Sequence, residues 1–273
     1  AAGAEIVNSP AIAELDGDAT PEIVVATNEV IPGDPAFPTT PFDLVSAALA
    51  ASTGANPVYA VNADGTPVPG WPVGVGVAAG DLLPLVLPGH DAAVLDTNGD
   101  GIDEVSVSAG TSLAAGGGIR LVGADGQTVT SYQGTAANSP DQGAILNLAD
   151  YPAVGDLTGL GTPSVIKGGL TLNGVANLLA VNQNLPFSHV IQAWDAASGA
   201  PITGFPRATD DFQLVSQPAV ARVGGTGPGA QALYGTGLYQ LHAYGVGGLE
   251  PAGWPKFTGG WTQATPSGGD ADG

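Results

Sequence analysis

The sequence predicts an all-β fold built from repeated four-stranded antiparallel units, and three observations predict it. An acidic, glycine-containing loop recurs: residues 14–22 read ELDGDATPE and residues 96–104 read DTNGDGIDE. A run with strand bias follows each loop, EIVVAT after the first and EVSVSAG after the second. Hairpin turn signals also recur, ADG at 63–65 and 124–126 and ASG at 197–199.

Aligning the chain on its loops reveals a longer unit. It opens with a Pro-Ala-apolar strand, passes through the loop into a Val-rich strand, forms a second hairpin and often closes on Gly-aromatic-Pro. Unit one reads SPAIAELDGDATPEIVVAT, then VYAVNADGTPVPGWPV with Trp71 at the closing. Unit two reads DAAVLDTNGDGIDEVSVSAG, then IRLVGADGQTV. Unit three reads YPAVGDLTGLGTPSVIKGG, then VIQAWDAASGAPITGFP with Phe205. Unit four reads QPAVARVGGTGPGAQALYGTG, then YQLHAYGVGGLEPAGWP with Trp254. A fifth begins at TPSGGDADG. The units fall at 1–75, 76–135, 136–208, 209–258 and 259–273 of a single domain, 1–273. Four-stranded units at this spacing are what β-propeller blades look like. A β-sandwich with coincidentally similar turns is the rival, and the in-register openings and closings argue against it. A helix-like insert at 42–52, with Gly54 as its C-cap, leaves the class unchanged.

Composition narrows the function classes. Lys+Arg total 5 against Asp+Glu 25, a net charge of −20, so clustered cations for phosphate are lacking and nucleic acid is excluded as a partner. The same charge disfavours an anionic membrane surface. Hydrophobic residues make up 44%, enough for a substantial core. Gly 43 and Pro 23, without a collagen period, fit many turns between short strands. With Cys 0 there is no disulfide framework or thiolate chemistry. No apolar run is long enough to span a membrane, and no signal peptide is visible. With Met 0 and an ending inside another acidic loop, the sequence reads as a mature or excised segment of a secreted or cell-surface protein.

In both complete loops an oxygen-bearing side chain stands at positions 1, 3, 5 and 9. These are Glu14, Asp16, Asp18 and Glu22, then Asp96, Asn98, Asp100 and Glu104. Hard oxygen donors at alternating positions of a tight turn suit Ca²⁺, which takes six to eight oxygens in a flexible shell. An EF-hand needs a bidentate Glu at position 12 and flanking helices. Position 12 is Val25 or Val107, each in a β-patterned run.

The stretches LDGDATPEIVVAT and LDTNGDGIDEVSVSAG, with the closings GWPV, GFPR and GWPK, resemble the FG-GAP/VCBS repeat β-propellers, whose blades are similar to those of integrin α-subunits. The resemblance covers nearly the whole chain. It implies Ca²⁺ held in the hairpin loop between the first two strands of a blade, in propellers of usually about seven blades. The four to five visible here then form a small propeller or part of a larger one. In such loops position 7 donates a backbone carbonyl, from Thr20 and Ile102. About two calcium sites are expected. Loop three keeps Asp156 with Thr158 and Ser164 but has Leu160 at position 5, and reads as a structural turn. Loop four starts at Arg222, followed by Gly224 and Thr226, and cannot hold a cation the same way. Loop five offers Asp270 and Asp272 and ends.

No catalytic residue is assigned. His90, His189 and His242 lie in three different units, and no GxSxG elbow, Walker loop or dinucleotide fingerprint is present. AWDAASG at 193–199 is similar to quinoprotein blades, but Trp194 reads as a packing aromatic, and Trp71, Phe205 and Trp254, at equivalent closing positions, are expected to pack between blades. Trp261 is expected to pack in a fifth blade. The expected role is an extracellular, calcium-stabilised interaction or adhesion scaffold for a protein or glycan. Inserts at 28–56 and 170–188, on one face of the disc, are the candidate surface. Two alternatives remain open: the propeller domain of a secreted carbohydrate-active lyase or hydrolase, and a self-assembling extracellular subunit forming homo-oligomers.

Overall fold

The computed structural model describes residues 6, 9–18, 20–27, 57–74, 92–108, 118–133, 145–146, 152–171, 189–209, 218–224, 227–262 and 265–268. The insert 42–52 with Gly54, read as helix-like from the sequence, His90, Asp270, Asp272 and most of the inserts 28–56 and 170–188 lie outside these residues. The chain divides into two compact units, Ala1–Gly134 with Ala144–Tyr151, and Thr135–Gly143 with Pro152–Gly273.

The first unit holds two sheets. Strands β1 (Ala11–Ala13), β2 (Glu22–Ala26), β3 (Pro57–Val61) and β4 (Val73–Gly74) pair in sequence order, each antiparallel to the next. Strands β5 (Ala93–Leu95), β6 (Glu104–Ser108), β7 (Gly118–Val122) and β8 (Thr128–Gln133) repeat the pattern. A two-residue strand, β9 (Ile145–Leu146), follows in the chain.

In the second unit, β10 (Ala153–Gly155), β11 (Ser164–Thr171), β12 (His189–Asp195) and β13 (Arg207–Thr209) form the third antiparallel meander. The fourth is β14 (Ala219–Ala221), β15 (Gln231–Gly235), β16 (Gln240–Tyr244) and β17 (Lys256–Phe257). Among the described residues there is no α-helix, only a single 3-10 turn at Val246–Gly248. The architecture is the all-β, four-stranded repeat that the sequence predicts.

Period-two burial builds the cores. In β2, Glu22, Val24 and Ala26 are buried while Ile23 is exposed. In the first unit Val24, Val58 and Ala60 of one sheet pack with Val105, Val107 and Val122 of the other. In the second, Ile166, Ile191 and Ala193 pack with Ala232, Tyr234 and Tyr244. Each buried Val, Leu or Ile contributes about 1.5–3 kcal/mol. Trp194 is buried at 1% exposure, as a packing aromatic should be.

The register defines equivalent loops. Ala13 faces Glu22, Leu95 faces Glu104, Gly155 faces Ser164 and Ala221 faces Gln231. The last of these encloses 222–230, one residue longer than 96–103.

Within each unit the two sheets meet through the same backbone contacts. The Asp103 N–H donates to the Glu14 carbonyl at 2.7 Å, and the Ala230 N–H to the Asp156 carbonyl at 2.9 Å. In each unit the Gly-aromatic-Pro corner of the first sheet then abuts the second hairpin of the other sheet. Gly70 stands at φ 90°, and a Cβ there would lie 1.9 Å from the Asp125 carbonyl oxygen. Gly204 at φ 92° would place its Cβ 2.0 Å from the Gly247 carbonyl carbon. Only glycine fits such a corner. Its aromatic is buried in both cases, Trp71 with its indole N–H donating to the Ala124 carbonyl at 3.0 Å, and Phe205.

Trp254 departs from the packing role read from its equivalent position. It is half-buried, with the Lys256 ammonium 5.5 Å from its ring centroid. A Cβ at Gly253 would meet only the Lys256 Nζ within 4 Å, so among the described residues no hairpin turn abuts this corner. Trp261 is 46% exposed.

Candidate metal centre

Loop one folds around its own side chains. The Glu14 carboxylate accepts from the Gly17 N–H at 2.7 Å, Asp16 from the Asp18 N–H at 3.1 Å, and Asp18 from the Thr20 N–H at 2.7 Å. Short acidic side chains favour this turn chemistry. The turn brings Glu14, Asp16 and Asp18 together, each offering a carboxylate oxygen within 4.8 Å of the others. Three hard anionic donors this close fit the coordination preference of a divalent cation such as Ca²⁺. Thr20 is carried on the same turn.

Glu22 stands apart from that trio. It is buried, and its Oε2 accepts from the Leu15 N–H at 2.7 Å. Burial chiefly raises its pKa above 4.5; the Leu15 N–H opposes the rise, and the charges of Asp16, Glu14 and Asp18 add to it.

Loop two uses the same positions with a different balance. Asp96 accepts from Asn98, Gly99 and Gly101 N–H groups at 3.2, 2.7 and 2.9 Å. These bonds, the Gly101 N–H foremost, hold the Asp96 carboxyl below its ordinary range. The Asn98 amide donates to Asp100 Oδ2 at 2.9 Å, and Asp100 Oδ1 accepts from the Ile102 N–H at 2.8 Å. Glu104 repeats the role of Glu22, taking the Thr97 N–H at 2.9 Å and the Thr97 hydroxyl on Oε2. Among the described residues, no three acidic or histidine ligand atoms gather in loop two as they do in loop one.

Asp103, which the alternating pattern skips, links the two loops. Its Oδ2 accepts from the Glu14 N–H at 2.9 Å while its own N–H bonds the Glu14 carbonyl. The signal in the sequence was position 8, Pro21 in loop one and Pro163 in loop three but an acid in loop two. Only a non-proline can donate there.

Loop three is tied by Asp156, which accepts from Gly159 and Gly161 N–H groups at 2.6 and 2.8 Å and from the Thr158 hydroxyl at 3.0 Å. Leu160 is 79% exposed, and the buried Ser164 hydroxyl has no hydrogen-bond partner among the described residues. In loop four the Gln231 amide does what Glu104 does in loop two, accepting from the Val223 N–H at 3.0 Å. Beside loops three and four lies a cavity of about 620 Å³, lined by Leu157, Thr158, Gln231, Val246 and Glu250 among others. Glu250 is engaged there, accepting from the Ala243 N–H at 3.0 Å and lying 3.2 Å from His242 Nδ1. His242 is itself buried and stacked on Tyr244.

These features define a class: an all-β protein of four-stranded, blade-like sheets, the first two of which carry an acidic loop in their first hairpin. Among solved structures the chain is similar to the crystal structure of exotype rhamnogalacturonan lyase YesX, with a TM-score of 0.51 and 14% identity. The match covers 89% of this chain and 40% of the lyase, so the chain spans about two-fifths of that protein's length. The likeness is one of fold. No family model matches the sequence, and no curated protein matches it.

Proposed function

We propose that this chain is a calcium-stabilised β-propeller, or a segment of one, that works outside the cell as an interaction scaffold for a protein or glycan. The observation that carries the reading is the Glu14, Asp16 and Asp18 trio, whose carboxylate oxygens lie within 4.8 Å of one another. Glu22, the Thr20 carbonyl and the matching set Asp96, Asn98, Asp100, Ile102 and Glu104 complete the two proposed sites. The ion's contribution is architectural: it neutralises carboxylates that would otherwise repel, and binding to the folded state alone stabilises that state. Among the described residues no helix is long and apolar enough to cross a membrane.

Thermal unfolding in calcium and in excess chelator tests this. At free calcium a hundredfold above Kd the stabilisation is about 2.7 kcal/mol per site, or roughly 5–10 °C in melting temperature. An unchanged melting curve overturns the reading.

A second reading is favoured by the fold likeness to a rhamnogalacturonan lyase: the propeller of a secreted carbohydrate-active enzyme. Binding to a glycan array without depolymerisation supports the scaffold. Cleavage of rhamnogalacturonan by the chain supports the enzyme.

A further inference from the structure

Loop four keeps the frame of the acidic loops and reverses their charge. Register makes Gln231 the counterpart of Glu104, and both accept the N–H of the second loop residue, Val223 or Thr97. Ala230 corresponds to Asp103, since each donates its N–H to the first loop residue of the preceding sheet. Pro228 corresponds to Ile102: Ile102 Cδ1 approaches the Cβ position of Gly17, and Pro228 lies against that of Gly159, the same loop position one unit later. The extra residue therefore falls at Gly229.

With that alignment, Arg222 occupies the first ligand position, where loops one and two carry Glu14 and Asp96. Its Nη2 donates to the Pro228 carbonyl, the counterpart of the Ile102 carbonyl expected to face calcium. The neighbouring Gly229 carbonyl accepts from the Gln231 Nε2 at 3.2 Å. A glutamate at 231 has no such donor. Two side chains thus deliver N–H groups to carbonyls at the place where the other loops present anionic donors.

We infer that loop four is a calcium loop rebuilt around a tethered cation, in which the Arg222 guanidinium, with the Gln231 amide beside it, takes the place of the metal. This rests on the calcium reading of loops one and two. The guanidinium is always charged and presents several donors in a fixed fork, so it neutralises local carbonyl dipoles without an ion from solution. Joining β14 to β15 then requires no calcium.

Amide hydrogen exchange on the whole chain, in calcium and in excess chelator, tests the inference. Peptides spanning 222–231 should exchange alike in both, while those spanning 14–22 and 96–104 lose protection in chelator. Arg222→Met should cut the protection of 222–231 several-fold in either buffer, and Arg222→Lys, which keeps the charge, should retain most of it. Unchanged protection in Arg222→Met overturns the proposal, as does a wild-type loop four that loosens in chelator as much as loop one. Calcium-indifferent peptides at loops one and two would instead sink the calcium reading, leaving the Arg222 clasp to be decided by its variants.

Discussion

In the first unit the sheets are joined by the Asp103 N–H on Glu14, by Gly70 against the 125–126 turn and by the Trp71 indole on Ala124. In the second they are joined by the Ala230 N–H on Asp156 and by Gly204 against the 247–248 turn, with Phe205 in place of the indole. The backbone contacts coincide while the side chains differ in charge and polarity. The repeat is therefore held in main-chain geometry and glycine corners, and the loops are free to be acidic in one junction and cationic in the other. That separation is why the loops diverge so far in sequence without changing the sheets.

The largest test of this equivalence is steric. Gly70→Ala and Gly204→Ala each force a Cβ to within about 2 Å of backbone. Left-handed strain alone is about 1–2 kcal/mol, and the forced shift adds another 1–3 kcal/mol. Both should lower stability by about 3 kcal/mol, read from the denaturant midpoint. Gly253→Ala, at φ 85° but with only the flexible Lys256 Nζ nearby, should cost the strain alone. Equal losses at Gly253 and Gly70 would break the claim that corner contacts join the sheets.

A smaller effect separates the junctions. Asp103→Ala leaves the backbone bond to the Glu14 carbonyl, as Ala230 does naturally, and removes only the carboxylate on the Glu14 N–H. The expected loss is about 1–2 kcal/mol, typical of a charge-assisted bond. It should be confined to the first unit, with the exchange of 222–231 unaffected. An Asp103→Ala protein as stable as wild type would show the two junctions to be equivalent in side chains as well.

Much of this was legible in the sequence because it is periodic. The loops, the Val-rich strands and the Gly-aromatic-Pro closings repeat in register, and each appears in the structure as a hairpin, a strand or a corner. Harder to read was what each acid does. Glu22 and Glu104 look like metal ligands by spacing, yet each commits one oxygen to a loop N–H, and Gln231 does the same without charge. Spacing alone does not separate an oxygen that closes a turn from one that meets an ion. Asp103 was missed because its partner lies in another hairpin, 89 residues away. Trp254 is half-buried although its corner motif is intact, and among the described residues no hairpin turn stands against that corner.

The smallest predicted effect is in pH, and it runs in opposite directions at loops one and three. Burial alone would raise the Asp156 carboxyl, but the Gly161 and Gly159 N–H groups and the Thr158 hydroxyl outweigh it and hold its pKa below 3.8. A depressed acid stabilises the fold above its unfolded pKa, and that contribution is lost as pH falls through the folded value. Glu22, raised above 4.5 mainly by burial, does the reverse in metal-free protein: its penalty is complete above the folded pKa and disappears as pH falls toward 4.5. Acidification in chelator should therefore first relieve loop one and only later loosen loop three. Carboxyl chemical shifts followed by NMR give both titrations directly. Glu22→Gln should abolish the gain and Asp156→Asn the loss; if either variant keeps the wild-type acid profile, that carboxyl is not what makes the two loops respond differently.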